Sequence, residues 1–268
     1  MQVQSLGYRT DLMLLRLQGS AVVDCGNHLV IRTPANPGFH WGNFVLADQT
    51  WVDRPLTDLV AVFHAEHPHA SHLALGVDGV DGRVWGDDEL GECGLEAERS
   101  VVMTTTTVNE PLHPNTEAVC RVLTSDADWA AAVDLESDDN DTLDAVEYHD
   151  FERRRMASRR EQQKAGLGAW FGAFVEGEMR CGLGLFTDGS GLGRFQSVQT
   201  LESARRRGLA ATLVHHASQV GLRDYAIREL ASVADPDYAA TRVYRALAFA
   251  YSELQLQPAR PAPSLSGP

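Results

Sequence analysis

The sequence predicts an α+β fold in which strands and helices follow one another through a larger second part and a smaller α/β part ahead of it in the chain. Short β-branched runs bounded by Gly, Pro and Asn recur along the whole length, the mark of strands and turns. Between them lie stretches whose apolar residues repeat at helical spacing. A segment with two prolines and no periodicity, "NEPLHPNTEA" (109–118), separates two portions that share a strand–helix–strand rhythm. The expected organisation is a first domain over 1–108, a linker over 109–117, a second domain over 118–257, and a disordered Pro-rich tail over 258–268.

In the first part, "AVVDCGNHLVIRT" (21–33) reads as two strands turning at Gly26-Asn27, and "WGNFVLA" (41–47) as a third. "PLTDLVAVFHAEHP" (55–68) offers Thr57 or Asp58 as an N-cap and Pro68 as a stop around an apolar stripe, which predicts a helix. Strands follow in "HLALGVDG" (72–79) and in the β-branched "SVVMTTTTV" (100–108).

The second part opens with a strand in "AVCRVLT" (118–124). A helix over "SDADWAAAVDLES" (125–137) follows, its acidic first turn suited to a helix N-terminus. A mixed-charge helix covers 146–166. "AWFGAFVEGEMRCGLGLFT" (169–187) predicts a hairpin turning at Glu176-Gly177, and "RFQSVQT" (194–200) the next strand. Leu209, Leu213, Val214, Ala217 and Val220 then share one face of a helix expected to close at Gly221. Strand "ELASVA" (229–234), helix "YAATRVYRALAF" (238–249) and strand "YSELQLQ" (251–257) complete the series.

The formal net charge of −14 argues against nucleic acid, whose phosphates need a basic face. A cationic partner such as an amine suits it better. Four separated cysteines without a CxxC pair fit reduced thiols and a cytoplasmic setting. "LMLL" at 12–15 is too short for a secretion signal, and no apolar run is long enough for a bilayer, so no membrane partner is expected. His64, His67, His69 and His72 lie close together, but Pro68 interrupts them and no Cys or carboxylate set completes a metal site; no metal is expected. The acidic stretch 126–152 reads as a solvated face in preference to the rim of a cationic pocket.

Against that acidic background stand Arg205, Arg206 and Arg207, followed at once by Gly208, Leu209 and Ala210 where a helix begins. The first amides of a helix have no partner within it, and its dipole favours negative charge there. A strand running into such a turn can hold phosphates, Gly208 allowing close approach of a ligand and the arginines adding charge-assisted contacts. The turn lacks both the Walker pattern and the dinucleotide fingerprint, so another phosphate-bearing cofactor is required.

Arg205-x-x-Gly208-x-Ala210, after "SVQT" and before an amphipathic helix, resembles the [RQ]xxGx[GA] signature of the GNAT superfamily of acyl-CoA-dependent N-acyltransferases. "DPDYAATRVYRALAF" (235–249) is similar to the same family's closing motif, with Asp237 in place of its frequent Asn and Ala248 in place of its Gly. The resemblance spans about 118–257, and it implies a GNAT-like central sheet, mixed and mostly antiparallel and flanked by helices, with acetyl-CoA as co-substrate and a small-molecule or peptide amine as acceptor. It further implies that the strand residues Val198, Gln199 and Thr200 pair with the pantetheine arm and that Arg205 through Ala210 wrap the pyrophosphate. Tyr244 would protonate the departing thiolate. The family's frequent strand Glu is missing, leaving the base open among Glu147, Asp188 and water relayed by Ser197 or Ser232. A non-catalytic acyl-CoA-binding module is the alternative. The first part carries no copy of the signature and is open to reading as a degenerate GNAT-like half; a monomer and a homodimer are both compatible with the chain.

Overall fold

In the computed structural model the described residues are 1–37, 39–138, 145–236 and 240–260. They form two compact units. The first comprises Met1–Val102 with the segment from Ser252, the second Met103–Tyr251.

The first unit begins with a helix that the strand-rich reading of this region did not foresee, α1 (Leu6–Leu17). Its signals are in the sequence: Ser5 caps the Tyr8 amide, and Tyr8, Leu12 and Leu15 repeat at helical spacing into the core. What holds its N-terminus comes from far along the chain. Glu253 accepts from the Ser5 hydroxyl and from the Leu6 and Gly7 amides, while Asp78 accepts from the Gln4 and Ser5 amides. Two buried carboxylates thus satisfy amides that a helix leaves unpaired, in the orientation its dipole favours.

Strands β1 (Ala21–Asp24), β2 (His28–Arg32), β3 (Phe44–Ala47) and β4 (Leu75–Val77) form a sheet in that order, antiparallel except for the β3–β4 pair. The predicted helix at 55–68 is α2 (Leu56–Glu66), which buries Leu56, Leu59 and Phe63. Neither Thr57 nor Asp58 caps it. Pro55 occupies the cap position, and the carboxylate of Glu89, from α3 (Asp87–Glu92), accepts from the Leu56 amide. His72 donates from Nε2 to the Asn43 carbonyl and stacks on His40, so it is engaged in packing this unit.

β5 (Glu96–Thr105) carries the chain into the second unit, which contains β6 (Val119–Val122), α4 (Asp126–Ser137), α5 (Ala145–Lys164), β7 (Gly168–Val175), β8 (Glu178–Phe186), β9 (Leu192–Thr200), α6 (Leu209–Asp224), β10 (Glu229–Ala234) and α7 (Ala240–Ala246). β11 (Ala250–Ala259) follows. In the second unit the strands lie in the order β10-β9-β8-β7-β6. β6 to β9 are joined antiparallel, and β10 returns parallel to β9. Every residue of β7 is buried, as expected of a strand covered on both faces.

Three sequence expectations change. α6 continues past Gly221 to Asp224, because Gly221 is a packing position: a Cβ there would stand 2.6 Å from Leu185 Cδ2. β11 runs to Ala259, and the Arg260 amide bonds the Leu73 carbonyl, so Pro258, Ala259 and Arg260 are not part of a loose tail; 261–268 lie outside the described residues. The acidic stretch is not uniformly solvated, for Asp128, Glu136 and Glu152 are buried. Asp128 accepts two 2.7 Å bonds from the Arg121 guanidinium and completes a capping box with Ser125 at the start of α4. Among the described residues no helix is long and apolar enough to cross a membrane.

Candidate active site

β9 and β10 are in register only over Leu192–Arg194 and Glu229–Ala231. Past that point the two strands part. Phe195 to Gln199 on one side and Ser232 to Ala234 on the other line a cleft of about 410 Å³. β9 also bulges here: Gly182 and Gly184 of β8 face Gln199 and Gln196, leaving one extra residue on β9, and Ser197 adopts a φ of 42°. The edge of β9 that β10 leaves uncovered is free for an extended ligand to pair with, and Val198 and Gln199 are on it. Thr200 ends the strand, its hydroxyl bonding the buried Cys181 thiol, whose pKa burial pushes up to about 12. Such a thiol is unsuited to act as a nucleophile.

At the end of β9 a short 3-10 turn, Glu202–Ala204, leads into the arginine turn. Arg206 (φ 61°) and Gly208 (φ 77°) are both left-handed, which folds the backbone tightly ahead of Leu209, the first residue of α6. Among the described residues no acceptor faces the amides of Arg206, Arg207, Gly208, Leu209 and Ala210. A run of N–H groups without acceptors at a helix N-terminus has the chemistry to donate hydrogen bonds to an anion. The arginines themselves are spread: Arg205 donates to the Thr200 carbonyl, and Arg207 pairs with Glu117. The chain itself comes close to the Gly208 α-carbon, a contact not expected from sequence: a Cβ there would collide with the His113 carbonyl. The supposed linker is docked here, the Asn115 side chain donating to the Arg207 carbonyl and its amide to Thr212 Oγ1.

Tyr244 of α7 lines the same cleft as Val198 and Gln199. Its ring is packed between Phe195 and Phe249, with centroids 5.9 Å and 5.0 Å away, and its hydroxyl meets Ser232. Burial pushes its pKa up to about 12, which keeps the phenol protonated at neutral pH and able to donate. Immediately after α7, Ala248 is left-handed at φ 73°, the conformation in which a helix C-terminus favours Gly.

Residues 129–249 match the sequence model of the Acetyltransferase (GNAT) family. They form a GNAT acetyltransferase domain. Solved structures agree on the fold. A functionally unknown conserved protein from Staphylococcus epidermidis superposes with a TM-score of 0.71 at 10% identity, over 88% of this chain and 92% of its own. A GCN5-related N-acetyltransferase from Kribbella flavida gives 0.66 at 17% identity, over 98% of both chains. A tandem GNAT protein from the clavulanic acid biosynthesis pathway gives 0.54 at 13% identity, over 94% and 93%. No curated protein matches the chain in sequence.

Within the GNAT domain the cleft also contains a residue that sequence reasoning passed over. Glu136, in the last turn of α4, lines it with its side chain 6% exposed. Its Oε2 accepts from Arg155 of α5, and its Oε1 has no hydrogen-bond donor among the described residues. The signal for it was weak, because a Glu near a helix end reads as surface. Of the bases considered from sequence, Asp188 stands in the β8–β9 turn capping the Ser190 amide, away from the cleft lining. Ser197 and Ser232 do line it. Asp237 and the side chain of Glu147 lie outside the described residues.

Proposed function

We propose that the GNAT domain transfers the acetyl group of acetyl-CoA to a primary amine by direct attack. The observation that supports this best is the parting of β9 and β10 beyond Arg194, with Tyr244 at the cleft so formed and unpaired amides at the far end of β9. In this reading the open edge of β9 at Val198, Gln199 and Thr200 pairs with the amide-bearing pantetheine arm, and the turn from Arg205 to Ala210 receives the pyrophosphate. Holding thioester and amine in one cleft supplies the entropic share of the acceleration. Tyr244 gives its proton to sulfur as the carbon–sulfur bond breaks.

The first unit is proposed as a reduced GNAT-like half, a reading supported by the coverage of both units by the tandem GNAT protein. The test of the function is release of free CoA from acetyl-CoA with a panel of primary amines, alongside acetyl-CoA binding by calorimetry. Turnover with at least one amine is expected. Tight binding without turnover across the panel would favour an acyl-CoA-binding module instead.

A further inference from the structure

Resting on the transferase reading, we propose that Glu136 is the general base that takes the proton from the acceptor ammonium, and hence that the acceptor enters as a cation. Glu136 Oε1 is buried at the cleft with no hydrogen bond made to it, the Ser197 hydroxyl of β9 being close enough only to lower the carboxyl's pKa, so it is an acceptor open to an N–H. A buried carboxylate left this way costs stability unless something supplies its partner, and a substrate ammonium would.

The neighbours explain how the group is poised. α5 presents Arg155, which donates to Oε2, with Glu152 behind it, 1% exposed, and Tyr148 and Arg159 nearby. From β9 comes the Ser197 hydroxyl at the bulge, and from β8 the Cys181 thiol. Asp235 and Tyr244 belong to the same cleft lining. The Glu136 carboxyl is raised to about 7, because burial, with Glu152 adding to it, outweighs the lowering by Arg155 and Ser197. A base titrating near working pH is half ready to accept a proton and able to release it afterwards.

The protons balance. Glu136 takes one from the ammonium, freeing the lone pair that attacks the acetyl carbon. The nitrogen sheds a second as the carbon–nitrogen bond forms, replacing the one Tyr244 delivers to sulfur. The proton on Glu136 passes to solvent when the product leaves. Ser197, at the bulge of β9, lines the same cleft with its backbone at a φ of 42°.

The experiment measures kcat/KM against pH for the full chain with an amine acceptor, and acetyl-CoA affinity separately. The intact protein should show a rising limb near pH 7. Glu136→Gln should bind acetyl-CoA normally, lose about a hundred- to ten-thousandfold in rate and lose that limb. A folded Glu136→Gln with the original rate and limb overturns the proposal. Should that variant fail to fold, Arg155→Gln serves: with the guanidinium gone, the limb should move to higher pH, and an unmoved limb in a folded, acetyl-CoA-binding variant overturns the proposal too. An intact protein that binds acetyl-CoA yet releases no CoA with any amine refutes the transferase reading itself, and the role of Glu136 with it.

Discussion

The carbonyl of His113 sits against the α-carbon of Gly208, in the space a side chain at that position would need. The segment ahead of β6 is thereby clamped onto the turn that starts α6, and the left-handed Gly208 is needed for both the turn and the contact.

Gly208→Ala is therefore expected to destabilise the protein, by about 2–4 kcal/mol, combining a left-handed Ala with a displaced His113. Denaturant unfolding of the variant decides it, with unchanged stability counting against the clamp.

Tyr244→Phe keeps the ring between Phe195 and Phe249 and removes only the hydroxyl at Ser232. Acetyl-CoA affinity should hold, while the single-turnover rate falls about ten- to a thousandfold, because the proton is needed only as charge develops on sulfur. An unchanged rate would make Tyr244 a packing residue.

Ala248→Gly should raise stability by about 1 kcal/mol, since Gly occupies the left-handed φ of 73° without the Cβ penalty that Ala bears. Thermal unfolding of the two proteins measures it. A loss of stability would mean that the methyl group contributes more in packing than its backbone conformation costs.

Asp128→Asn should cost about 2–4 kcal/mol, as it weakens the paired bonds to Arg121 and the amide bonds from Thr124 and Ser125 together. The hydrogen bonds from Arg121 hold the Asp128 carboxyl well below its ordinary 3.8. Its folded pKa being depressed, its contribution is complete above about pH 4 and is lost as pH falls through the acid range. The difference in stability between parent and variant should accordingly shrink on acidification; a difference independent of pH would show that the charge is not what matters.

Much of the second unit is legible in its residues. Alternation and turn chemistry locate the β7–β8 hairpin at Glu176-Gly177, helical spacing locates α6, and the Arg205-x-x-Gly208-x-Ala210 pattern locates the turn that opens it. These are local properties: a turn residue, a cap or a periodic stripe acts within a few positions of itself. Only the tertiary structure decides the rest. That Glu136 is buried beside Arg155 rather than solvated depends on how α4 and α5 pack, and that a backbone carbonyl packs against Gly208 depends on a segment 95 residues earlier, at His113. Burial and long-range contact set both, and neither is a property of the nearest neighbours in sequence.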